Sequence, residues 1–305
     1  MRHLPALLGL LFCAACVGPE DTPSNVKDLR VLAMRFDPPE LFADVCSPDP
    51  SALLPTLARP VRLTALLPDP AGEGRDLDYV LYACSSSRDD LCEEDRVELA
   101  RGVTRGGELV VNLAPGPGVA QLEDGTLLAQ RVLEEDTYQG LGGIRLPVVL
   151  EVSGGGERIY ARKLMVYNCP LVPGMAVNVQ PELTGLLLEG EPWEEGVPRE
   201  LSGPGPFRVE AMDFSERQES YVVPSFEFKP VQLRESWELS YYGTLGSFSP
   251  GQTGGSDLGG GEERHRVEWR PPSSATEPQD VLFWVVVRDG RGGLTWVTRS
   301  VRYTP

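Results

Sequence analysis

Histidine is nearly missing from this chain. The sequence has two, and His3 lies in the opening residues, which leaves His265 for any folded region. Hydrolysis through an activated serine or cysteine needs a base within hydrogen-bond reach. His265, between Arg264 and Arg266 at a strand start, reads instead as a solvated strand position. Basic residues are also few: 28 against 45 acidic ones, a formal net charge of −17. That balance excludes nucleic acid and electrostatic docking on anionic lipid, both of which need basic patches. After residue 16 no apolar run approaches the roughly 20 residues that cross a bilayer as a helix. Cys46, Cys84, Cys92 and Cys169 contain no Cys-x-x-Cys pair, so zinc lacks its usual ligand spacing. No metal and no other cofactor is expected.

What is present begins at the first residues. Arg2 and His3 precede an apolar run from Leu4 to Phe12, which ends at Cys13-Ala14-Ala15-Cys16. A short basic start, an apolar stretch of about 7–15 residues and a small-residue exit make a secretory signal. The last four residues resemble a bacterial lipobox, in which the chain is cut before a cysteine that receives diacylglycerol and palmitate-type acyl chains. Cys13 stands where that pattern usually has Leu. Residues 1–15 are therefore expected to be a signal peptide. Cys16 is expected to be the lipidated residue, and residues 16–26 the lipidated cysteine and a polar, Pro-punctuated tether to the first fold. Plain secretion after Ala15 is the alternative. Val17 rather than Asp follows Cys16, which in enterobacterial sorting permits delivery to the outer membrane. The expected location is thus exported and lipid-anchored to the cell envelope, at the outer membrane.

Cysteine usage agrees with export. With Cys13 in the signal and Cys16 carrying lipid, four cysteines remain, and an even number in an oxidising compartment suggests two disulfides with three possible pairings. Cys84 and Cys92 flank the polar segment Ser85 to Leu91, which suits a local loop staple. Cys46 is then left with Cys169.

The rest of the chain is punctuated by 33 glycines and 28 prolines, which favours short strands and tight turns over long helices. Strand-like runs are Leu29 to Phe36, Val61 to Leu67, Tyr79 to Cys84, Arg96 to Ala100, Glu108 to Leu113, Ile144 to Val152 and Arg158 to Tyr167. Pro147 inside its run suggests a sheet edge or a bulge. Ser153-Gly154-Gly155-Gly156 reads as a hairpin turn. The one helical candidate is Thr126 to Asp136, capped by Thr126. Asn168 to Gln180 carries two prolines and a glycine and is read as the boundary between domains. A second set of strands follows: Glu182 to Leu188, Phe207 to Met212, Tyr221 to Phe226, Ser236 to Tyr242, Arg264 to Trp269, Val281 to Arg288 and Leu294 to Tyr303. Gly251 to Gly261 is left as a loop, and Asp289 to Gly293 as a hairpin turn. Trp284 and Val286 share one face of their strand while Phe283, Val285 and Val287 share the other, so that strand is expected to be buried on both faces. The fold expected is all-β: two immunoglobulin-like β-sandwiches in series, covering 27–170 and 182–305 with a linker at 171–181.

Several segments support that assignment by resemblance. LRVLAMRFDPPELFAD (Leu29 to Asp44), QPELTGLLLEGEPW (Gln180 to Trp193), SYYGTLGSFSPGQTGG (Ser240 to Gly255), VEWRPP (Val267 to Pro272) and VLFWVVVRDGRGGLTW (Val281 to Trp296) resemble parts of tandem immunoglobulin-like envelope lipoproteins of the myxobacterial type. The resemblance implies a fold and a location, and it supplies no catalytic residue. In such sandwiches part of the first strand runs parallel to the last. Applied to Leu29–Phe36 and Arg158–Tyr167, this brings Cys46 and Cys169 to one edge.

Chemical alternatives start from the carboxylates and tryptophans. Glu93-Glu94-Asp95 and Glu134-Glu135-Asp136 sit in loop-like or helix-end segments and read as solvated faces. Asp76, Asp78, Asp89, Asp90 and Asp289 are possible loop ligands for calcium, although Asp289 precedes Gly290 as a turn former would. Of the five tryptophans, Trp193 and Trp296 are the candidates for exposed sugar-stacking rings, the others being core. The function expected is non-enzymatic: a structural or protein-interaction role at the envelope, with a carbohydrate- or calcium-dependent adhesion module as the alternative. The expected partners are the membrane, through lipid, and another envelope protein or polysaccharide.

Overall fold

The computed structural model describes residues 22–47, 50–85, 91–93, 95–138, 140–255 and 265–305. Cys16 and the signal segment, Asp89, Asp90, Glu94 and most of the Gly251–Gly261 loop lie outside the described residues.

The fold is all-β. The first sandwich opposes a three-stranded sheet, β1 (Ala33–Asp37), β3 (Val61–Leu67) and β6 (Gly107–Leu113), to a five-stranded one. The larger sheet runs in the order β2 (Glu40–Phe42), β8 (Glu157–Asn168), β7 (Ile144–Gly154), β4 (Leu77–Cys84) and β5 (Arg96–Thr104). Alternation sets the faces: in β6, Leu109, Val111 and Leu113 are buried while Val110 is exposed, as a half-buried strand requires. The core between the sheets is mostly Leu and Val, with Phe36 and Tyr167 at its ends.

The second sandwich repeats the plan. One sheet is β10 (Glu191–Trp193), β9 (Leu186–Leu188), β12 (Phe207–Ala211), β18 (Arg266–Arg270) and β16 (Ser247–Ser249). The other is β11 (Arg199–Ser202), β20 (Leu294–Thr304), β19 (Gln279–Arg288), β15 (Glu238–Gly243) and β17 (Gln252–Gly254). A separate hairpin, β13 (Ser220–Pro224) with β14 (Pro230–Arg234), completes this half.

Both halves use the same opening device. β1 pairs antiparallel with β3, and only past Pro38-Pro39 does β2 cross to pair in parallel with Val166–Asn168 of β8. The parallel partner is thus Glu40–Phe42 and not Leu29–Phe36: the Pro-Pro step removes two donors from the ladder and lets the chain change sheets. In the second half, β9 and β10 stay with β12, while β11 pairs in parallel with Val301–Thr304 of β20. The parallel β2–β8 pair brings Cys46 and Cys169 to one edge, where they are bridged with Cα atoms 5.2 Å apart; Cys84 and Cys92 are bridged at 5.4 Å. Two such bridges belong to an oxidising, extracellular or envelope environment.

Other local expectations are corrected. Pro147 is in a central strand. Pairing with β4 stops at Val148, so Pro147 is held through β8 alone and its missing N–H interrupts no β4 ladder. The second helix, α2 (Leu128–Glu135), lacks a side-chain cap at its N-terminus: Asp124 Oδ1 instead accepts the Thr126 N–H at 2.8 Å. A further helix, α1 (Pro50–Leu57), which contains Pro55, is additional to the one helical candidate of the sequence. Gly155 and Gly156 both have positive φ (60° and 87°) in the β7–β8 turn, which the sequence did signal, since glycine adopts such angles without strain.

A third apolar cluster joins the two sandwiches. Val26, Leu32, Ala33 and Leu66 pack on Trp284, Val286 and Leu294, flanked by Tyr242 and Trp296. β19 is therefore buried on both faces: Phe283, Val285 and Val287 point into the second core and Trp284 and Val286 into the seam. The sandwiches lie side by side.

Candidate binding cleft between the two sandwiches

Each sandwich carries a long insertion where the other has a short turn. Residues 68–76 link β3 to β4 in the first half, whereas the equivalent link from β12 to β15 spans 212–237 and contains the β13–β14 hairpin. The link from β18 to β19 spans 271–278, whereas the equivalent link from β6 to β7 spans 114–143 and contains α2. These two insertions meet: the rings of Tyr138 and Phe226 are 6.2 Å apart. Beneath them lies a cavity of about 880 Å³, floored by Arg145, Arg162, Leu164 and Val166 of β7 and β8 and walled by Tyr221–Phe226.

A two-stranded ribbon is marginal in water by itself, so the stem of the hairpin must be held. Glu235 is buried and accepts the Trp237 indole N–H at 2.8 Å and the Glu219 N–H at 3.1 Å. Arg291 pairs with Glu219 (3.1 Å) and Glu235 (3.4 Å) and lies over the Tyr221 ring at 4.2 Å. Burial, with Glu235 beside it, pushes the Glu219 carboxyl upward. The rings at the hairpin tip are not buried. Phe226 is 79% and Phe228 61% exposed, and Val231 and Leu233 of β14 face solvent as well.

The base of the cleft is a polar joint between the halves. Glu40 accepts the Asn168 amide at 3.0 Å and the Asn178 N–H at 2.8 Å. Asn178 in turn donates to Asp289 Oδ2 at 2.7 Å. Asp289 also accepts the N–H groups of Arg291, Gly292 and Gly293 at 2.7, 3.0 and 3.0 Å. Lys163 reaches across to the Gly292 carbonyl at 2.6 Å, and burial pushes its ammonium down to about 8. Asp289 is thus the turn former its place before Gly290 implied, with its carboxyl pushed upward by burial.

The remaining candidate residues fall elsewhere. Trp193 is 2% exposed and its indole donates to Ser300 O at 3.3 Å, so it is core. Trp296 lies in the seam, under the Arg35 guanidinium at 4.5 Å, donating to Glu108 at 2.9 Å. Neither is a sugar platform. His265 packs its ring 4.5 Å from Phe214. Asp76 pairs with Arg105 at 2.8 Å. Glu134 accepts from Gln130 at 2.9 Å, and Asp136 accepts the N–H groups of Tyr138 and Gly140. Among the described residues no group of three or more His, Cys, Asp or Glu could hold a metal ion, and no described helix is long and apolar enough to cross a membrane. Tyr221–Phe226 reads as a strand, as β13 is, but nothing in the sequence places it against the α2 insertion. The available signal was two phenylalanines in the turn Ser225–Lys229.

No family model and no curated protein matches the chain. Among solved structures it is similar to Escherichia coli alpha-2-macroglobulin activated by porcine elastase (8% identity, 93% of this chain and 22% of that one, TM-score 0.28). It is also similar to a titin fragment, A168169 (6%, 91% and 99%, 0.21), and to chicken CNTN1 domains FN1–FN3 (10%, 92% and 68%, 0.20). The chain spans less than a quarter of the macroglobulin's length. Its assignment as paired sandwiches rests on the sheet orders above.

Proposed function

We propose that this is a non-enzymatic protein of the bacterial cell envelope, anchored at the outer membrane through lipid on Cys16, which binds another envelope protein at the cleft between its sandwiches. The observation that carries the reading is the meeting of the two insertions, which close one apolar-rimmed cleft with Phe226 exposed on its rim and Phe228 exposed two residues on. Folding gives no return for exposing two aromatic rings at a hairpin tip. Large exposed aromatics beside a preformed groove are the composition of an interaction site. A photo-crosslinking residue at Phe226 in intact cells should trap a discrete protein adduct. The same residue at Val103, exposed on β5 of the first sandwich, should not. Equal labelling from both positions would refute the site. Cys16→Ala should move the protein from the membrane to the soluble fraction, because acyl chains would be its only anchor.

A further inference from the structure

The segment before the first sandwich is not a free tether. Ser24, Asn25 and Val26 are buried against the second sandwich, on the edge of β15 beyond Tyr241, whose N–H donates to Gly251 O at 2.9 Å on the β17 side. Asn25 pairs in parallel with Gly243. Gly243 N–H donates to Ser24 O at 2.9 Å, Val26 N–H donates to Gly243 O at 2.8 Å, and Phe248 N–H donates to Ser24 Oγ at 3.2 Å. Thr22 is turned back onto this edge by the Asn25 N–H, 2.9 Å from its carbonyl. Arg30 holds the Pro23 carbonyl at 2.8 Å. The described residues therefore begin at the Gly243 end of β15. The stem of the β13–β14 hairpin, Glu235–Trp237, joins β15 at its other end.

We propose that this docking makes the Gly243–Ser249 end of the second sandwich the membrane-facing end of the protein and turns the cleft outward. The proposal rests on the reading that Cys16 carries lipid. From Cys16 to Thr22 the chain reaches at most about 20 Å when fully extended, at about 3.3–3.6 Å per residue. A sandwich of about 100 residues has a radius of gyration near 13 Å and so a diameter above about 30 Å. The leash is shorter than the body it holds, so the body cannot tumble freely above the bilayer. β15, at about 3.4 Å per residue, places its two ends about 17 Å apart. The surface next to the lipid is formed by residues 244–246 and by Ser249 at the end of β16, and the hairpin and cleft stand on the far side.

The geometry offers its own test. A Cβ built on Gly251 would lie 4.0 Å from the Ser24 Cβ, inside the window of about 3.5–4.5 Å that a disulfide needs. The double variant Ser24→Cys/Gly251→Cys, made in full-length protein that also carries Cys16→Ala, is expected to form this bond quantitatively in air. Failure to form it would show that the segment is not docked and would overturn the proposal whether or not the protein is lipidated. In the lipidated chain reconstituted in vesicles, a bimane on Ser249→Cys should be quenched more strongly by headgroup-labelled lipid than one on Phe226→Cys. Equal quenching, or stronger quenching from position 226, would overturn the orientation. If the unmodified chain fails to associate with membranes in cells while the engineered bond still forms, the lipid reading fails and the docking stands.

Discussion

The two sandwiches share a strand plan but are held together by different chemistry. The first has an aliphatic core in which Phe36 and Tyr167 are the buried aromatics, and it holds both disulfides. The second has no cysteine and packs Trp193, Phe214, Trp237, Tyr241, Phe248, Trp269, Phe283 and Tyr303 against one another. Trp269 sits at the centre, with ring centroids 5.0 Å from Phe283, 5.5 Å from Tyr303 and 5.7 Å from Phe207. Each aromatic ring buries about 150–250 Å², so a few of them replace many aliphatic contacts. A bridge across a long loop acts mainly on the unfolded chain by removing entropy. One architecture is thus stabilised in one half through the native core and in the other partly through the unfolded state.

The largest test of that contrast is to remove the Cys46–Cys169 bridge, whose cysteines are 123 residues apart in sequence. In the chain-entropy model a loop of this size contributes about 4–5 kcal/mol. Cys46→Ser with Cys169→Ser should lower the first sandwich's unfolding free energy by that amount, and its melting temperature with it. Tryptophan fluorescence, whose reporters all belong to the second half, should follow a transition that moves less. If both transitions fall together, the seam formed by Val26, Leu32, Trp284 and Val286 makes the molecule one cooperative unit. The two sandwiches, expected over 27–170 and 182–305, would then not be independent folding units.

The reciprocal test is Trp269→Ala. Truncating a fully buried tryptophan costs about 3–5 kcal/mol, and here it also removes the hub of three ring contacts. The loss should appear in the second half and be insensitive to reductant. A reductant-dependent loss would contradict the division of labour.

Lys163 tests the joint between the halves through pH. Its ammonium is pushed down to about 8 by burial, against about 10.4 in an unfolded chain. Below pH 8 it is charged in both states and the burial penalty is complete. Between about pH 8 and 10.4 the unfolded chain binds the proton and the folded one does not, so stability rises with pH. Relative to Lys163→Met, the wild type should gain up to about 3 kcal/mol across that window, at about 1.4 kcal/mol per pKa unit. A flat difference in denaturant midpoints between pH 7.5 and 10 would show that Lys163 is solvated.

Much of this molecule was legible in its residues, and the gaps have physical causes. Strands such as Val61–Leu67 could be read because period-two burial and bounding Pro, Gly or Asp coincide there. β10, β11, β16 and β17 could not, because strands of three or four residues carry no period. The docked Ser24–Val26 reads as a polar tether because it is held by backbone pairing with Gly243 and by a single buried apolar side chain, Val26, which composition does not encode. The cleft was hidden for a related reason. Its walls are insertions from distant parts of the chain, and only the fold brings Tyr138 to Phe226. The tryptophans, by contrast, attracted a ligand-binding reading for Trp193 and Trp296 that packing removes.

The smallest expected effect on stability separates folding from function most cleanly. Phe226→Ser with Phe228→Ser changes side chains that are 79% and 61% exposed, at a tip where the Ser225 hydroxyl accepts the N–H groups of Glu227 and Lys229. Those turn bonds do not involve the rings, and the stem is fixed by Glu235, Arg291 and Tyr221 some residues away. Surface substitutions of this kind stay within about 0.5 kcal/mol, and loss of the 6.2 Å contact with Tyr138 adds little for a half-solvated ring pair. The melting curve of the double variant should therefore overlay that of the wild type, while the adduct trapped in cells by a photo-crosslinking residue at Tyr138 on the opposite wall disappears. A destabilised variant would assign the rings to folding, and an unchanged adduct would show that the partner held at Tyr138 does not depend on them.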